Sequence, residues 1–317
     1  MFTGLRDRAV DLGYAAGWNV VKSAPRGLTE RAFRAAADAA AVRNGGGARQ
    51  LRKNLSRVVG PQTSDARLDA LVGAALRSYA RYWLETFRLP RMDPHEVVER
   101  TTVHTEGREN LDAALERGKG AVVALPHSGN WDVAGLWLVA HSGPFVTVAE
   151  RLHPESLFER FVAHREGLGF EVLPLSRRDP SPMGTLARRL RENKVAALVA
   201  DRDLSRNGVP VRFFGEPTRM PGGPAMLAAT TGAALIPISL WFTDDGGWGQ
   251  RIHPPLPVPE GRLRDQVPAL TQSVADVLAA GIGEHPVDWH MLQPLWLADL
   301  PARPERERGE PAAAGPG

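Results

Sequence analysis

The pattern of apolar and polar residues changes near residue 100. Before that point, apolar residues recur at steps of three and four, which is the period of amphipathic helices. This part of the chain predicts helices over residues 4–22, Leu28–Arg43, Arg49–Val59 and Asp65–Phe87. Thr29 is the expected N-cap of the second helix, and the run Asn-Gly-Gly-Gly at 44–47 is its expected end.

After residue 100, short apolar and β-branched runs alternate with helical patterns. The predicted strands are Thr101–Thr105, Ala121–Leu125, Phe145–Ala149, Glu171–Leu175, Val195–Ala200, Leu235–Phe242 and Gln250–His253. The predicted helices are Arg108–Arg117, Trp131–Ala140, Glu155–Leu168, Gly184–Glu192, Gly222–Thr231 and Leu263–Ala280. This alternation predicts an α/β fold with a mostly parallel central sheet flanked by helices. In such folds the active site lies outside the carboxyl ends of the strands.

Charge is distributed unevenly along the chain. Residues 1–60 hold eleven Lys and Arg residues against four Asp and Glu residues. A positive excess confined to this region indicates an anionic partner, either nucleic acid or an anionic membrane surface. We divide the chain into a basic amphipathic helical region at 1–60, an α/β domain at 61–300, and a disordered tail at 301–317. Of the two partners, a membrane is the one on which we expect the first region to dock.

The segment at 4–22 has the features of a helix that lies in the plane of a membrane. Apolar residues recur at alternating steps of four and three, with Tyr14 and Trp18 beside them and arginines near the start. A helix packed on the protein's own core has the same pattern. Asp7 and Asp11 interrupt the apolar positions, so we expect neither a signal peptide nor a transmembrane helix, and a cytoplasmic location.

Several kinds of catalytic site are absent from the sequence. There is no cysteine, which excludes a thiol nucleophile and cysteine metal clusters. The GxSxG, GxGxxG and P-loop patterns are absent too, which argues against serine hydrolases and nucleotide-dependent enzymes. A metal-dependent hydrolase using His253, His285 and His290 is an alternative, although no HExxH pattern supports it. The basic region carries no nucleic-acid recognition motif, so we expect no nucleic-acid partner.

His127 stands where a predicted buried strand turns into a helix. It opens the sequence His-Ser-Gly-Asn-Trp-Asp at 127–132. Asp132 is close enough, across one helical turn, to orient the imidazole while His127 removes a proton from a substrate hydroxyl. Gly129 lets a ligand approach the backbone, and the amides of the helix N-terminus are suited to an anion or an oxyanion. A buried histidine bound to Asp132 with no catalytic task fits the same pattern.

Two further positions bear on this pair. His104 and Glu109 have the same spacing, but acidic residues surround them, and we interpret that stretch as a solvated turn with an acidic helix start. Asp201, like His127, directly follows a predicted strand. A second carboxylate is therefore expected at the same edge of the sheet as the histidine.

Five blocks of sequence carry a resemblance to a known family. They are the H-x4-D pattern at His127–Asp132, Glu150-Arg151, His-Arg-Glu-Gly-Leu-Gly at 164–169, Val-Ala-Asp-Arg-Asp-Leu at 199–204, and Phe-Phe-Gly-Glu-Pro-Thr-Arg-Met-Pro-Gly-Gly-Pro at 213–224. In these blocks the chain resembles the membrane-lipid acyltransferases related to the late acyltransferases of lipid A. It is most similar to the actinobacterial branch that acylates phosphatidylinositol mannosides. The ordered set is more specific than any one block.

This resemblance implies transfer of a fatty acyl chain, expected to be palmitoyl, from acyl-CoA to a mannose hydroxyl of a phosphatidylinositol mannoside at the cytoplasmic face of the membrane. It implies that His127 is the general base, that Asp201 orients it, and that Asp132 shapes the site or shares that role. Glu150 and Arg165 match positions that build the pocket around donor and sugar. A thioester is already activated, so we expect no metal and no cofactor, with acyl-CoA as co-substrate. A lysophospholipid or another glycolipid is the alternative acceptor.

The same blocks suggest further contacts with a lipid. Arg202 and Arg219 are candidates for binding phosphate or a headgroup, although each is equally suited to a surface ion pair. The large side chains Trp131, Phe213, Phe214 and Met220 are candidates for an acyl groove, with packing in the core as the alternative. The lipid A relatives carry a transmembrane anchor, whereas this chain has the amphipathic segment at 4–22. We therefore expect a peripheral membrane enzyme.

Overall fold

A seven-stranded sheet forms the centre of the protein. The computed structural model describes residues 17–18, 20–151, 155–175, 181–203 and 208–300. The sheet consists of β1 (Thr105–Glu106), β2 (Ala121–Leu125), β3 (Phe145–Glu150), β4 (Phe170–Leu175), β5 (Val195–Val199), β8 (Ala234–Phe242) and β9 (Trp248–Ile252). The two remaining strands, β6 (Val209–Phe213) and β7 (Glu216–Met220), form a separate antiparallel hairpin. The strand order is β1-β9-β8-β2-β5-β3-β4, and all neighbours are parallel except β8 and β9. The predicted α/β fold with a mostly parallel sheet is confirmed.

Helices cover both faces of this sheet. They are α1 (Arg26–Arg43), α2 (Gly46–Val59), α3 (Asp65–Arg88), α4 (Pro94–Val103), α5 (Arg108–Glu116), α6 (Trp131–Ser142), α7 (Glu155–Glu166), α8 (Met183–Arg191), α9 (Gly223–Thr231) and α10 (Leu263–Glu284). Val122 points into the core shared with α8, α9 and α10, while Val123 points into the core shared with α5 and α6. Because β2 is buried on both faces, its sequence is a continuous apolar run.

The first three helices form a layer of their own. α1, α2 and α3 pack around a buried apolar cluster that spans the predicted domain boundary at residue 60. Ahead of α1, residues 17–18 and 20–23 are helical, and the ring of Trp18 lies 4.9 Å from Phe87 and 5.4 Å from Phe161. The rest of the predicted helix at 4–22 and the tail at 301–317 lie outside the described residues. Within the part described, no helix combines the length and apolar character needed to cross a bilayer.

Two local predictions are wrong. The predicted strand Thr101–Thr105 lies largely in α4, because Asp93 caps a helix that has Pro94 in its first turn and that continues to Val103. Of that stretch, Thr105 alone is extended, as part of β1. Thr29 lies inside α1 rather than at its N-cap, and its hydroxyl donates back to a carbonyl of the first turn.

Candidate active site

His127 lies in a tight turn between β2 and α6. Gly129 adopts a left-handed conformation with φ of 56°, and a Cβ there would lie 2.9 Å from the backbone nitrogen of Trp241. Only glycine fits this close approach without strain. Asn130 caps α6 with its side-chain oxygen Oδ1, and its side-chain nitrogen Nδ2 donates to Glu85 on α3 at 2.8 Å. The turn that carries the histidine is therefore held from both sides.

Asp201 is the carboxylate that meets His127. β2 and β5 are parallel neighbours, with Leu125 paired with Val199, so the residues that follow them emerge at the same edge of the sheet. Nδ1 of His127 lies 2.6 Å from Oδ1 of Asp201, and the backbone amide of His127 donates to Oδ2 at 2.9 Å. Asp201 is fully buried, whereas the His127 side chain is 31% exposed. Nε2 is therefore the ring nitrogen available to a substrate, and we call these two residues the dyad.

The carboxylate of Asp201 stays ionised although it is buried. Burial raises the pKa of a carboxyl group, but four contacts outweigh it and hold the pKa of Asp201 below its ordinary value. These contacts are the charge of His127, its ring N–H, the indole N–H of Trp289 and the backbone amide of His127. When the imidazole of His127 is neutral, the ionised carboxylate keeps its proton on Nδ1, which leaves the lone pair on Nε2.

Asp132 binds Arg165 rather than His127. Its Oδ1 lies 2.9 Å from Nε of Arg165, and its Oδ2 accepts longer hydrogen bonds from Tyr82 and Thr86, at 3.4 and 3.3 Å. Burial lowers the pKa of a guanidinium, but the charge of Asp132 outweighs this effect and raises the pKa of Arg165. The expectation that the two ends of the H-x4-D pattern meet across one helical turn is wrong.

The backbone amides nearest to His127 are already engaged. The amide of His127 donates to Asp201, that of Ser128 to the carbonyl of Pro126, and that of Gly129 to the carbonyl of Asp288. They are therefore unable to form the expected oxyanion site, whereas the amides at 130–132 donate no hydrogen bond to the described residues and are left for it. The hydroxyl of Ser128 is buried and has no hydrogen-bond partner among the described residues.

An apolar cavity lies between the sheet and α6. Trp131, Asp132 and Arg165 line it, and the ring of Trp131 lies 5.7 Å from the imidazole of His127. Further in, its walls come from the sheet and from α6, and include Val123, Leu125, Ala197, Val199, Ala134 and Leu138. Its apolar walls are those of a small-molecule site.

The other predicted binding residues, Glu150, Arg202 and Arg219, do not line this cavity. Glu150 is exposed at the end of β3, which is one of the strands that line the cavity. Arg202 directly follows Asp201 and is half-buried. Arg219 lies on β7, where it donates to the carbonyl of Gly208 at 2.9 Å. No hydrogen bond within the described residues joins any of the three to His127.

The predicted groove residues divide between two places. Trp131 lines the cavity. Phe213 and Met220 are fully buried in the core on the opposite face of the sheet, and Phe214 packs against the same core. Packing in the core, the stated alternative, holds for these three.

The three histidines of the metal-hydrolase alternative have separate partners. His253 is 2.9 Å from the hydroxyl of Ser239, His290 is 3.0 Å from that of Ser78, and His285 stacks on an indole ring. Across the described ranges, no three His, Cys, Asp or Glu side chains are grouped to hold a metal ion.

The pair with the same spacing as His127 and Asp132 does not meet either. Nε2 of His104 lies 3.0 Å from Oδ2 of Asp245, and Glu109 stands in the first turn of α5. This place matches the interpretation as a solvated turn with an acidic helix start.

Sequence reasoning missed two residues that build the site, Trp289 and Glu85. Trp289 donates its indole N–H to Asp201 at 2.9 Å. Glu85 accepts hydrogen bonds from Asn130 and Trp248, both at 2.8 Å. No local pattern marks these residues, because each reaches its partner across more than 40 residues of sequence.

Comparison with known proteins places this geometry in a family. The model of the bacterial lipid A biosynthesis acyltransferase family matches residues 6–298. A phosphatidylinositol mannoside acyltransferase of Mycolicibacterium smegmatis is 54% identical over 93% of this chain and 94% of its own. A protein of the same description from Mycobacterium tuberculosis H37Rv is 53% identical over 92% of this chain and 90% of its own. The chain belongs to the bacterial lipid A biosynthesis acyltransferase family and is an O-acyltransferase, as the sequence predicted.

Proposed function

We propose that this enzyme transfers a fatty acyl chain, palmitoyl in the first place, from acyl-CoA to a mannose hydroxyl of a phosphatidylinositol mannoside. One observation carries the proposal: a buried carboxylate orients His127, and the ring of Trp131 beside the imidazole lines an apolar cavity. A base beside an apolar cavity suits the reaction of a hydroxyl with a fatty acyl thioester. The relatives described as phosphatidylinositol mannoside acyltransferases support the choice of acceptor.

The donor chain enters the cavity under α6. A fatty acyl chain has no polar group to satisfy, and the strand residues on this face of the sheet are apolar. Burial of each methylene contributes about 0.8 kcal/mol, so each methylene that enters the cavity strengthens binding of the donor. With the chain inside, the thioester carbonyl lies near Trp131 and within reach of a hydroxyl activated by His127.

The acceptor reacts at Nε2 of His127. This nitrogen removes the proton of the mannose hydroxyl while the hydroxyl oxygen attacks the thioester carbonyl. Asp201 stabilises the imidazolium that forms. The tetrahedral intermediate then breaks its carbon–sulfur bond, and the CoA thiolate takes the proton from His127. The ester and free CoA are the products. The residues themselves supply every proton transfer, so the reaction needs neither metal nor cofactor.

Charged residues around the dyad bind the polar parts of both substrates. Arg202 and Arg219 supply positive charge for the phosphates of CoA or of the acceptor headgroup. Arg165 stays paired with Asp132 and shapes the pocket beside the thioester. Glu150, at the exposed end of β3, accepts hydrogen bonds from sugar hydroxyls.

The enzyme works at the cytoplasmic face of the membrane as a peripheral protein. The basic excess of residues 1–60 favours an anionic surface, and Leu28 and Val42 on α1 are exposed. Flotation with anionic liposomes tests this: the full chain is expected to float, and a variant without residues 1–26 is expected to float less. Equal flotation of the two rejects the N-terminal segment as an anchor.

The acceptor is tested directly with purified protein and palmitoyl-CoA. Phosphatidylinositol mannoside, a lysophospholipid and an unrelated glycolipid are offered in parallel, and free CoA and product mass are followed. We expect a mannoside product that gains one palmitoyl group, and no product with His127→Ala. Acylation of the lysophospholipid in place of the mannoside overturns the proposed acceptor, and turnover by His127→Ala overturns the mechanism.

A further inference from the structure

The segment Asp288-Trp289-His290 clamps the turn that carries the dyad. The amide of Gly129 donates to the carbonyl of Asp288 at 2.9 Å, and the amide of His290 donates to the carbonyl of His127 at 2.8 Å. These two bonds form a short antiparallel bridge centred on Ser128 and Trp289. The segment therefore sets the backbone position of His127 from a distance of about 160 residues of sequence.

The side chain of Trp289 reaches the other member of the dyad. Its indole Nε1 donates to Oδ2 of Asp201 at 2.9 Å, and the same oxygen accepts the backbone amide of His127. Two donors on Oδ2 leave Oδ1 for Nδ1 of His127. The indole is fully buried between Phe213 and Trp296, whose ring centres lie 6.1 Å from its own, so its direction is set by packing.

We propose that Trp289 is a positioning residue of the acyl transfer, whose indole N–H holds the carboxylate of Asp201 in the orientation that His127 needs and draws negative charge from it. This role rests on the proposed function of His127 as the base. Trp289 itself touches neither the acceptor hydroxyl nor the thioester. It acts through Asp201.

Loss of this N–H has two consequences. The carboxylate loses one of the two donors on Oδ2 and becomes free to rotate away from the imidazole. It also attracts a proton more strongly, so the dyad protonates at higher pH. The other charged groups nearby leave this sign unchanged: Asp132 is neutralised by Arg165, and the buried ring of His290 is uncharged.

The matched pair Trp289→Phe and Trp296→Phe tests the proposal. Both indoles are fully buried in the same core, but Nε1 of Trp296 donates to the carbonyl of Phe213 at 3.0 Å and not to the dyad. We expect Trp289→Phe to lower kcat about 10- to 100-fold, since a hydrogen bond to a charged group is lost. Both KM values are expected to stay within about twofold. The acidic limb of kcat/KM is expected to move to higher pH in this variant alone.

Two further measurements separate position from packing. In a background of Asp201→Asn, Trp289→Phe is expected to lower kcat less than about twofold, because the carboxylate that the indole N–H binds is already lost. Incorporation of benzothienylalanine at position 289 keeps the bicyclic ring and removes only the N–H. This variant is expected to show the same loss of kcat, about 10- to 100-fold, and it keeps the role of the N–H testable where the phenylalanine variant folds poorly.

Equal losses in Trp289→Phe and Trp296→Phe, an unmoved acidic limb, or full additivity with Asp201→Asn would each overturn this role. The outcome is distinct from that of the proposed acceptor. If another lipid is acylated, the comparison of the two tryptophans is made with that lipid and keeps its meaning. If His127→Ala retains turnover, the base and its positioning residue fail together.

Discussion

Arg165 holds the carboxylate of Asp132 at 2.9 Å, while Asp201 holds the imidazole of His127 at 2.6 Å. These two carboxylates thus serve different partners. One neutralises a buried guanidinium that lines the apolar cavity, and the other orients the proposed base. The two roles predict different consequences when each carboxylate is removed.

Asp201→Asn is expected to reduce kcat strongly and leave the protein folded. The amide keeps the shape of the side chain but has no negative charge to stabilise an imidazolium at His127. By comparison with other His–Asp dyads, the loss is expected to be about 1,000-fold or more. Steady-state kinetics with palmitoyl-CoA, together with a thermal unfolding curve, measure both effects.

Asp132→Asn is expected to act mainly on stability. It leaves the guanidinium of Arg165, whose side chain is 18% exposed, without its counter-charge, and breaking a buried ion pair costs about 3–5 kcal/mol. The double variant Asp132→Asn/Arg165→Met is expected to recover part of that loss. A larger loss of kcat in Asp132→Asn than in Asp201→Asn, at equal folded fraction, would show that the roles are reversed.

Gly129→Ala is expected to destabilise the protein and reduce activity. A Cβ at this position meets backbone atoms of Leu240 and Trp241 at about 3 Å, and the residue has a positive φ. Gly143→Ala is the matched control, since its φ is 82° and no atom lies within 4 Å of its Cβ. We expect Gly143→Ala to lower the free energy of unfolding by about 1 kcal/mol, and Gly129→Ala to lower it by about 2 kcal/mol more, as measured by denaturant unfolding. Equal costs would contradict the close approach at Gly129.

Ala134→Leu is expected to shift the enzyme towards shorter acyl chains. Ala134 lines the cavity on α6, so a larger side chain there takes space from the donor. Ala140→Leu makes the same change at an exposed position of the same helix. We expect the ratio of kcat/KM for palmitoyl-CoA over lauroyl-CoA to fall about tenfold in Ala134→Leu and to stay unchanged in Ala140→Leu. An unchanged ratio in both would place the acyl chain outside this cavity.

His290 is expected to make folding less favourable in acid. Burial, with a contribution from the charge of His127, lowers the pKa of His290 to about 3. The unfolded chain therefore binds a proton below about pH 6.5 that the folded chain does not, so stability falls as pH decreases from 6.5 towards 4. In His290→Phe that fall is expected to be smaller by up to about 3 kcal/mol. His95→Phe, at an exposed position, is the control and is expected to keep the wild-type slope.

Local periodicity was sufficient for most of the elements. The bounds of α3, β2 and α6 follow from apolar spacing and from the residues that cap them. The hairpin of β6 and β7 was not predicted, because Pro210 and Pro217 stand within its strands, and a proline in a run argues against a strand. The strand predicted at 101–105 failed because the Asp93-Pro94 helix start was stronger than the β-branched residues after it.

For the site, sequence alone determined that a histidine follows one buried strand, at His127, and that a carboxylate follows another, at Asp201. Which carboxylate serves the histidine was decided by tertiary structure, because the parallel pairing of β2 with β5 brings residues 74 positions apart to 2.6 Å. The donor on Asp201 and the cavity under α6 were decided in the same way. Side chains distant in sequence form them, and no local pattern records such contacts.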